Sequence, residues 1–423
     1  MKRKLPFFLT SLLILLVSIL IGTGLMTLAY TVPISAMKDH LISSADTILA
    51  EGSYPNLYNW CTSELDNLTD GLMVSIAGYR SEAPAIVDAM EGCSYSIDDY
   101  ASEFALRSHL TYGSLPFEKV SPYTRYWHGY LLFLKPLLAL TDYSGIRVLN
   151  LILQTGLAAV VVALLCRYHM RKYILPFLLS VLIIGPHVIY RSLQFSTCYY
   201  TLLLGSIAAL FLIGKKAGER SFYLLFLIIG IFTSFIDFLT YPISTFGVPA
   251  VFVLNASDNR SFRKQSGRVF KLFLFWLLGY IVMWLGKFPV ACLVSDQPIL
   301  GDAAQETFTW MVTARGFTNL FYMLYRNIRS FSLTPFMIPA LIFAAVGIIA
   351  AIRRKSTSVS EVWKLAVPYL ILAILPVGWY CVLAAPSYIH DFFTSKALVV
   401  SAFSILSFIC RLSCSEKCIQ NIT

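Results

Sequence analysis

Ten apolar runs, near residues 7–30, 147–166, 173–190, 197–213, 221–238, 241–256, 270–292, 334–352, 364–383 and 396–410, dictate what this chain of 423 residues can become. A helix needs about 20 apolar residues to cross a hydrocarbon core of about 30 Å. Inside that core the backbone must satisfy its own hydrogen bonds, which favours helices. The expectation is an all-α polytopic membrane protein with about ten transmembrane helices. Charge is correspondingly sparse: 13% of residues are Asp, Glu, Lys or Arg, against about 25% in soluble domains.

The position of the charges orients the chain. When the ten runs are threaded alternately with the N-terminus inside, the inner segments collect 20 of the 33 Lys and Arg but four of the 23 acids. The inner groups are Lys2–Lys4, Arg167–Lys172, Lys215–Arg220, Arg260–Lys271, Arg353–Lys364 and Arg411–Lys417. Lys and Arg excess on cytoplasmic loops is the expected bias. The formal charge of +10 is thus a membrane-topology signal and not a nucleic-acid footprint. Both termini are expected in the cytoplasm of a multi-pass cell-membrane protein.

Four segments follow. Residues 1–31 form an anchor helix; the apolar run exceeds the 7–15 residues of a signal peptide, although Ile34-Ser35-Ala36 resembles a weak cleavage site. Residues 32–146 form an acidic extracytoplasmic loop with short helices near 42–50, 63–78 and 83–91, and its 32–125 portion holds 13 acids and five basic residues. Its end, 126–140, is apolar but short and interrupted by Lys135-Pro136, which suits a re-entrant or interfacial helix. Residues 147–411 form the transmembrane domain and 412–423 a cytoplasmic tail. Cys61 and Cys93 are the two cysteines of the large loop and could pair in an oxidising compartment. No CxxC, HExxH, P-loop or GxGxxG motif is present.

Asp66 and Asp70, in Leu65-Asp66-Asn67-Leu68-Thr69-Asp70, would be i,i+4 neighbours on a helix, next to Thr69 and Met73. Two such carboxylates repel, so one takes a raised pKa or both share a divalent cation. Either outcome suits a general base or a metal-bound phosphate, and a solvated acidic face is the plain alternative. Arg125, Trp127 and His128, in Arg125-Tyr126-Trp127-His128-Gly129-Tyr130, sit where the acidic loop returns to the bilayer. Polar residues recur at the same ends of the spans: Arg147, His187, Tyr190, Arg191, Asp237, Tyr241, Arg326, His390 and Lys396. Intramembrane charge is costly, although snorkelling at span ends relieves much of that cost. All these residues face the outer leaflet, which suits an outer-facing cavity lined with acids, His and Arg, with structural ion pairs such as Asp237 with a span-end arginine as the plain alternative.

The overall plan resembles the GT-C superfamily of integral membrane glycosyltransferases, in which a first span precedes a large outer loop with interfacial helices and a bundle of further spans. Leu65–Asp70, Tyr126–Tyr130, Asp237-Phe238-Leu239-Thr240-Tyr241-Pro242 and Tyr388-Ile389-His390-Asp391-Phe392-Phe393 are also similar to segments of bacterial multi-pass membrane proteins. The superfamily resemblance implies transfer of a sugar from a polyprenyl-phosphate donor to an extracytoplasmic glycan, lipid or protein. It also implies a base at Asp66 or Asp70, and an arginine (Arg125, Arg191 or Arg326) against the departing lipid phosphate. A lipid-linked glycan flippase or other transporter, a polysaccharide polymerase or ligase, and a non-catalytic assembly protein are the competing readings. The transferase reading expects Asp66 or Asp70 within reach of His128 and an arginine.

Overall fold

The computed structural model describes residues 6–257, 261–297, 299, 301, 317–353 and 358–413. Lys2–Lys4, Arg260, Arg354, Lys355, Lys417 and most of the expected tail lie outside the described residues. The fold is helical, with one short antiparallel ribbon in which β1 (Ser94–Ser96) pairs with β2 (Lys119–Ser121).

A first helix, α1 (Phe7–Ala29), carries no charged residue. After it come α2 (Ile34–Glu51), α3 (Asn67–Ala77), α4 (Ala85–Glu91) and α5 (Ser102–Tyr112), which with the ribbon make up the acidic domain. The fifth helix and the ribbon lie beyond the three short helices expected near 42–50, 63–78 and 83–91. Met37, Leu41, Met73, Ile76 and Leu106 close the domain's core. A fully buried side chain of this type contributes roughly 1.5–3 kcal/mol, so five of them fix α2, α3 and α5 together.

The remaining helices are α6 (Leu131–Leu138), α7 (Tyr143–Arg167), α8 (Ile174–Ile183), α9 (Pro186–Ile189), α10 (Leu193–Gly214), α11 (Glu219–Ile236), α12 (Ile243–Asn255) and α13 (Phe262–Val294). They are followed by α14 (Phe317–Ser332), α15 (Met337–Arg353), α16 (Val359–Val382), α17 (Ala384–Ile389), α18 (Asp391–Thr394) and α19 (Val399–Ser413). Among the described residues seven apolar helical stretches are long enough to cross a membrane, or eight if α14 and α15, bent by 89°, count as one span. The expected ten is too many for straight, full-length helices. The 173–190 run breaks at Gly185 (φ +75°) and yields a ten-residue helix, about 15 Å long at 1.5 Å per residue. The 241–256 run yields 13 helical residues, about 20 Å. The 126–140 segment reduces to the eight-residue α6, far too short to cross.

The short helices nevertheless carry the chain from one end of the bundle to the other. Near Arg167–Lys172 the Tyr168 ring lies against Gly214, and Cys410 Sγ donates to the Lys172 carbonyl (3.1 Å). By Arg191 the chain is back beside the start of α7, where Arg147 Nε donates to the Arg191 carbonyl (2.7 Å) and the Tyr143 hydroxyl oxygen lies 3.2 Å from it. Helix α12 likewise runs from Tyr241, whose hydroxyl donates to the Phe195 carbonyl (2.6 Å), to Ala256-Ser257, where Arg411 donates to the Leu254 and Ser257 carbonyls (3.3 and 2.8 Å). Arg220 at that same end lies over the Phe7 ring (5.6 Å). The bundle therefore has a basic end and an end capped by the acidic domain. Phe177, Phe252 and Phe403 fill the interior between them, with ring centroids 4.8–5.9 Å apart.

Candidate functional site

The segment between α2 and α3, Gly52 to Asp66, folds across the capped end of the bundle. Leu65 drops into the main core, and Tyr58 stacks on Trp60 (5.1 Å) with His187 beside both rings. The fully buried Lys396 anchors the segment, since its ammonium donates to the carbonyls of Thr62 (3.0 Å) and Ile184 (3.1 Å). Lys396→Met keeps the bulk but strands two buried carbonyls, each costing about 1–3 kcal/mol. Chymotrypsin should therefore cut the Tyr54–Trp60 stretch faster in this variant than in wild type; an unchanged rate would show that the other contacts suffice.

Asp66 is the N-cap of α3. Its carboxylate accepts from the Thr69 amide (3.0 Å) and the Thr69 hydroxyl (2.9 Å), one bond per oxygen, and the residue is 2% exposed. A carboxylate offers about four lone-pair sites, so capacity remains on both oxygens. No cation forms an ion pair with Asp66 among the described residues, but His390 lies close enough to feel its charge. Glu64, Asp391 and Arg326 complete the cluster. Arg326 pairs with Asp391 at 2.5 Å, and the Asp391 carboxylate also accepts from Ser330 Oγ (2.5 Å). Burial raises Asp66, opposed by the two Thr69 bonds and by His390. Burial also raises Glu64, aided by Asp391 and Asp66 and opposed by Arg326. His390 is pushed down by burial against the pull of Asp66 and Asp391.

Asp70 has a different task. It is fully buried and accepts four hydrogen bonds: from Ser192 Oγ (3.1 Å) and the Gln194 amide (2.9 Å) on one oxygen, and from the Tyr143 hydroxyl (2.6 Å) and the Leu193 amide (2.8 Å) on the other. Every lone-pair site is taken, and two of the donors are amides of the first turn of α10. Asp70 therefore fastens α3 to the positive end of that helix, with both oxygens committed to those donors. Because Asp66 is the cap and not a helical residue, the two carboxylates take different partners, Asp66 the first turn of α3 and Asp70 the first turn of α10. The expected pair is replaced by one structural and one available carboxylate.

The expected approach of Asp66 or Asp70 to His128 is not observed as a contact. His128 is 1% exposed, at φ +57°, with Nε2 2.7 Å from the Tyr123 carbonyl and Nδ1 3.4 Å from the Tyr130 hydroxyl. It packs in an aromatic cluster around Phe238, next to Gly92. Trp127 is buried and donates to the Met283 carbonyl (2.6 Å), and the Arg125 guanidinium lies over the Tyr123 ring (4.7 Å). Trp127 and the Arg125 carbonyl, which accepts from Trp284 Nε1 (3.0 Å), join this stretch to α13. Asp237 accepts from Thr197 Oγ1 (2.9 Å) and the Thr240 amide (3.1 Å), holding the α11–α12 turn. Tyr241, bonded to Phe195, belongs to the same structural group.

Arg147 is a strut as well, in a two-bond pair with Glu51 (2.5 and 2.7 Å) that Asn67 joins (3.0 Å). Arg191 differs. Its guanidinium reaches the Tyr190 hydroxyl (3.1 Å) and has no carboxylate partner among the described residues, leaving a half-buried cation near Glu51 and His187. Glu64, Asp391 and Glu51 were missed by sequence reasoning; Asp391 lies inside a noted motif, but nothing in its spacing pairs it with Arg326. Cys61 and Cys93 are free thiols in separate surroundings, Cys61 beside Asp391 and Cys93 beside Glu91. Among the described residues no three His, Cys, Asp or Glu side chains converge as metal ligands. Cys414 and Cys418, whose four-residue spacing with Cys410 allows palmitoylation but suits incidental interfacial cysteines better, lie outside the described residues.

No family model matches the chain, and neither a curated protein nor a solved structure matches it.

Proposed function

We propose that this chain is a GT-C-like membrane glycosyltransferase that moves a sugar from a polyprenyl-phosphate donor to an extracytoplasmic acceptor, with Asp66 as the base. The observation that carries this reading is the contrast between the two loop carboxylates. Asp70 is consumed by four donors, whereas Asp66 keeps free acceptor capacity, lies within reach of the His390 charge and has no paired cation among the described residues. The positive-inside bias supports a cytoplasmic basic end and a capped end, with this cluster, outside.

In the proposed step an acceptor hydroxyl gives its proton to Asp66 while its oxygen attacks the anomeric carbon. The bond from that carbon to the phosphate oxygen breaks with inversion. Arg191 takes up the negative charge that develops on the departing lipid phosphate. The polar side chains named above gather at one end of the bundle, and the middle is packed with aromatic rings; this supports an enzyme at the membrane face over a transporter.

The test is transfer of radiolabelled sugar from polyprenyl-phosphate and polyprenyl-diphosphate donors by the purified full chain in lipid nanodiscs. Turnover of one donor class is expected. Asp66 works only when deprotonated, and burial holds its pKa above the usual 3.8. The rate should therefore fall as pH drops through that raised value. Failure of every donor, or a flat acid limb, counts against the assignment.

A further inference from the structure

Helix α14 shows two opposite stripes. Met323, Asn327 and Ser330 are buried, while Phe321, Tyr325 and Ile328, spaced as i, i+4 and i+7, are 69%, 50% and 50% exposed. The buried stripe is committed to the candidate site. The Asn327 amide donates to the Ser387 carbonyl (2.7 Å), the Thr394 hydroxyl donates to Asn327 (2.7 Å), and Arg326 and Ser330 both reach Asp391. Among the described residues the exposed stripe makes one ring contact, Tyr325 on Tyr322 (6.1 Å).

What covers that stripe follows from the next helix. α15 packs along α19 and α8 and turns an apolar face outward through Ile338, Leu341, Ile342 and Val346, each about 60% exposed. Such a face on a helix aligned with the spans belongs against acyl chains. The bend between α14 and α15 is 89°, so when α15 crosses the bilayer α14 lies in its plane, at the capped end. Leu333, 60% exposed, marks the corner between them. Phe, Tyr and Ile on the outward stripe of an in-plane helix match the boundary between headgroups and acyl chains, where aromatic residues concentrate and an amphipathic helix sinks by about 5–10 Å.

We propose that α14 is a membrane-interface helix whose Phe321, Tyr325 and Ile328 stripe is seated in the lipid boundary while its opposite stripe walls the Glu64–Asp66–His390–Asp391 cluster. A lipid-anchored substrate would then reach the cluster along this helix without leaving the bilayer; that route rests on the transferase reading, whereas the seating of the helix does not.

The test places the photoreactive residue p-benzoylphenylalanine singly at Phe321, Tyr325 and Ile328 of the full chain. The protein is reconstituted in phosphatidylethanolamine–phosphatidylglycerol vesicles, irradiated and weighed by intact mass spectrometry. Position Ile342 on α15 sets the lipid-adduct yield, and Tyr100 in the acidic domain sets the background. Phospholipid adducts within about twofold of the Ile342 yield at all three positions are expected. Crosslinks into residues 302–316, crosslinks to a second copy, or yields at the Tyr100 level would each overturn the proposal. Lipid adducts from a protein that turns over no sugar donor would keep the interface helix and remove only the transferase.

Discussion

Asp66→Asn should lower the sugar-transfer rate by at least about a hundredfold, in line with the 10²–10⁴ typical of losing a general base, while leaving the fold intact. The two halves of this expectation have separate causes. Asparagine is as good an N-cap as aspartate, and its carbonyl can still accept from the Thr69 amide at the start of α3. The amide cannot take a proton from an acceptor hydroxyl. A thermal midpoint in detergent close to wild type, together with lost turnover, is therefore the signature of a chemical role. Equal activity would remove Asp66 as the base. A collapsed midpoint would make it a structural cap.

Asp70→Asn should do the reverse. Each Asp70 oxygen accepts one hydroxyl and one amide of the first turn of α10. A hydroxyl can rotate to meet the new NH2 group, but an amide cannot. Whichever way the asparagine turns, Leu193 or Gln194 loses its acceptor, at about 1–3 kcal/mol. The loss of a carboxylate at a helix N-terminus adds up to about 2 kcal/mol in partly buried geometries. A destabilisation of about 3 kcal/mol is expected, read as a lower midpoint. The pH dependence gives a second readout. Burial raises the Asp70 carboxyl from 3.8 to about 6, so between those values the folded chain holds a proton that the unfolded chain has released. The stabilisation linked to this group is full below about pH 3.8 and is lost as pH rises through about 6. The midpoint difference between wild type and Asp70→Asn should therefore shrink from pH 5 to pH 7; a constant difference would contradict the raised carboxyl.

The long spans were legible because hydropathy measures the length of an apolar run. It does not measure helical continuity, which is why 173–190 and 241–256 read as full spans although Gly185 breaks one and the other is helical only over Ile243–Asn255. Helix α14 was hidden for a related reason. Its buried stripe contains Asn327 and Ser330, polar residues satisfied by the 387–394 segment, and its apolar spacing lies on the outward stripe of Phe321, Tyr325 and Ile328, so no continuous apolar run advertises it. At the site, Asp66 carried a readable signal: an aspartate three residues before a threonine, ahead of an apolar run, is a cap. Treating it as a helical i,i+4 partner of Asp70 obscured that. The partners of both carboxylates, His390 and the start of α10, come from sequence positions more than a hundred residues away, which a local pattern cannot supply.

Lys396 has two counterparts. Lys135 donates to the Ala77 carbonyl (2.7 Å) and Lys287 to that of Tyr126; all three lysines are fully buried, and none has a carboxylate partner among the described residues. Each ammonium lies C-terminal to the carbonyl it grips, by 58, 161 and 334 residues. A chain made from its N-terminus therefore closes these latches in sequence during biosynthesis. The Lys135 latch is available while the acidic domain is still young, and that of Lys287 only after α13 has been made. The Gly52–Asp66 segment gains its Lys396 anchor only when nearly all of the described chain has been made.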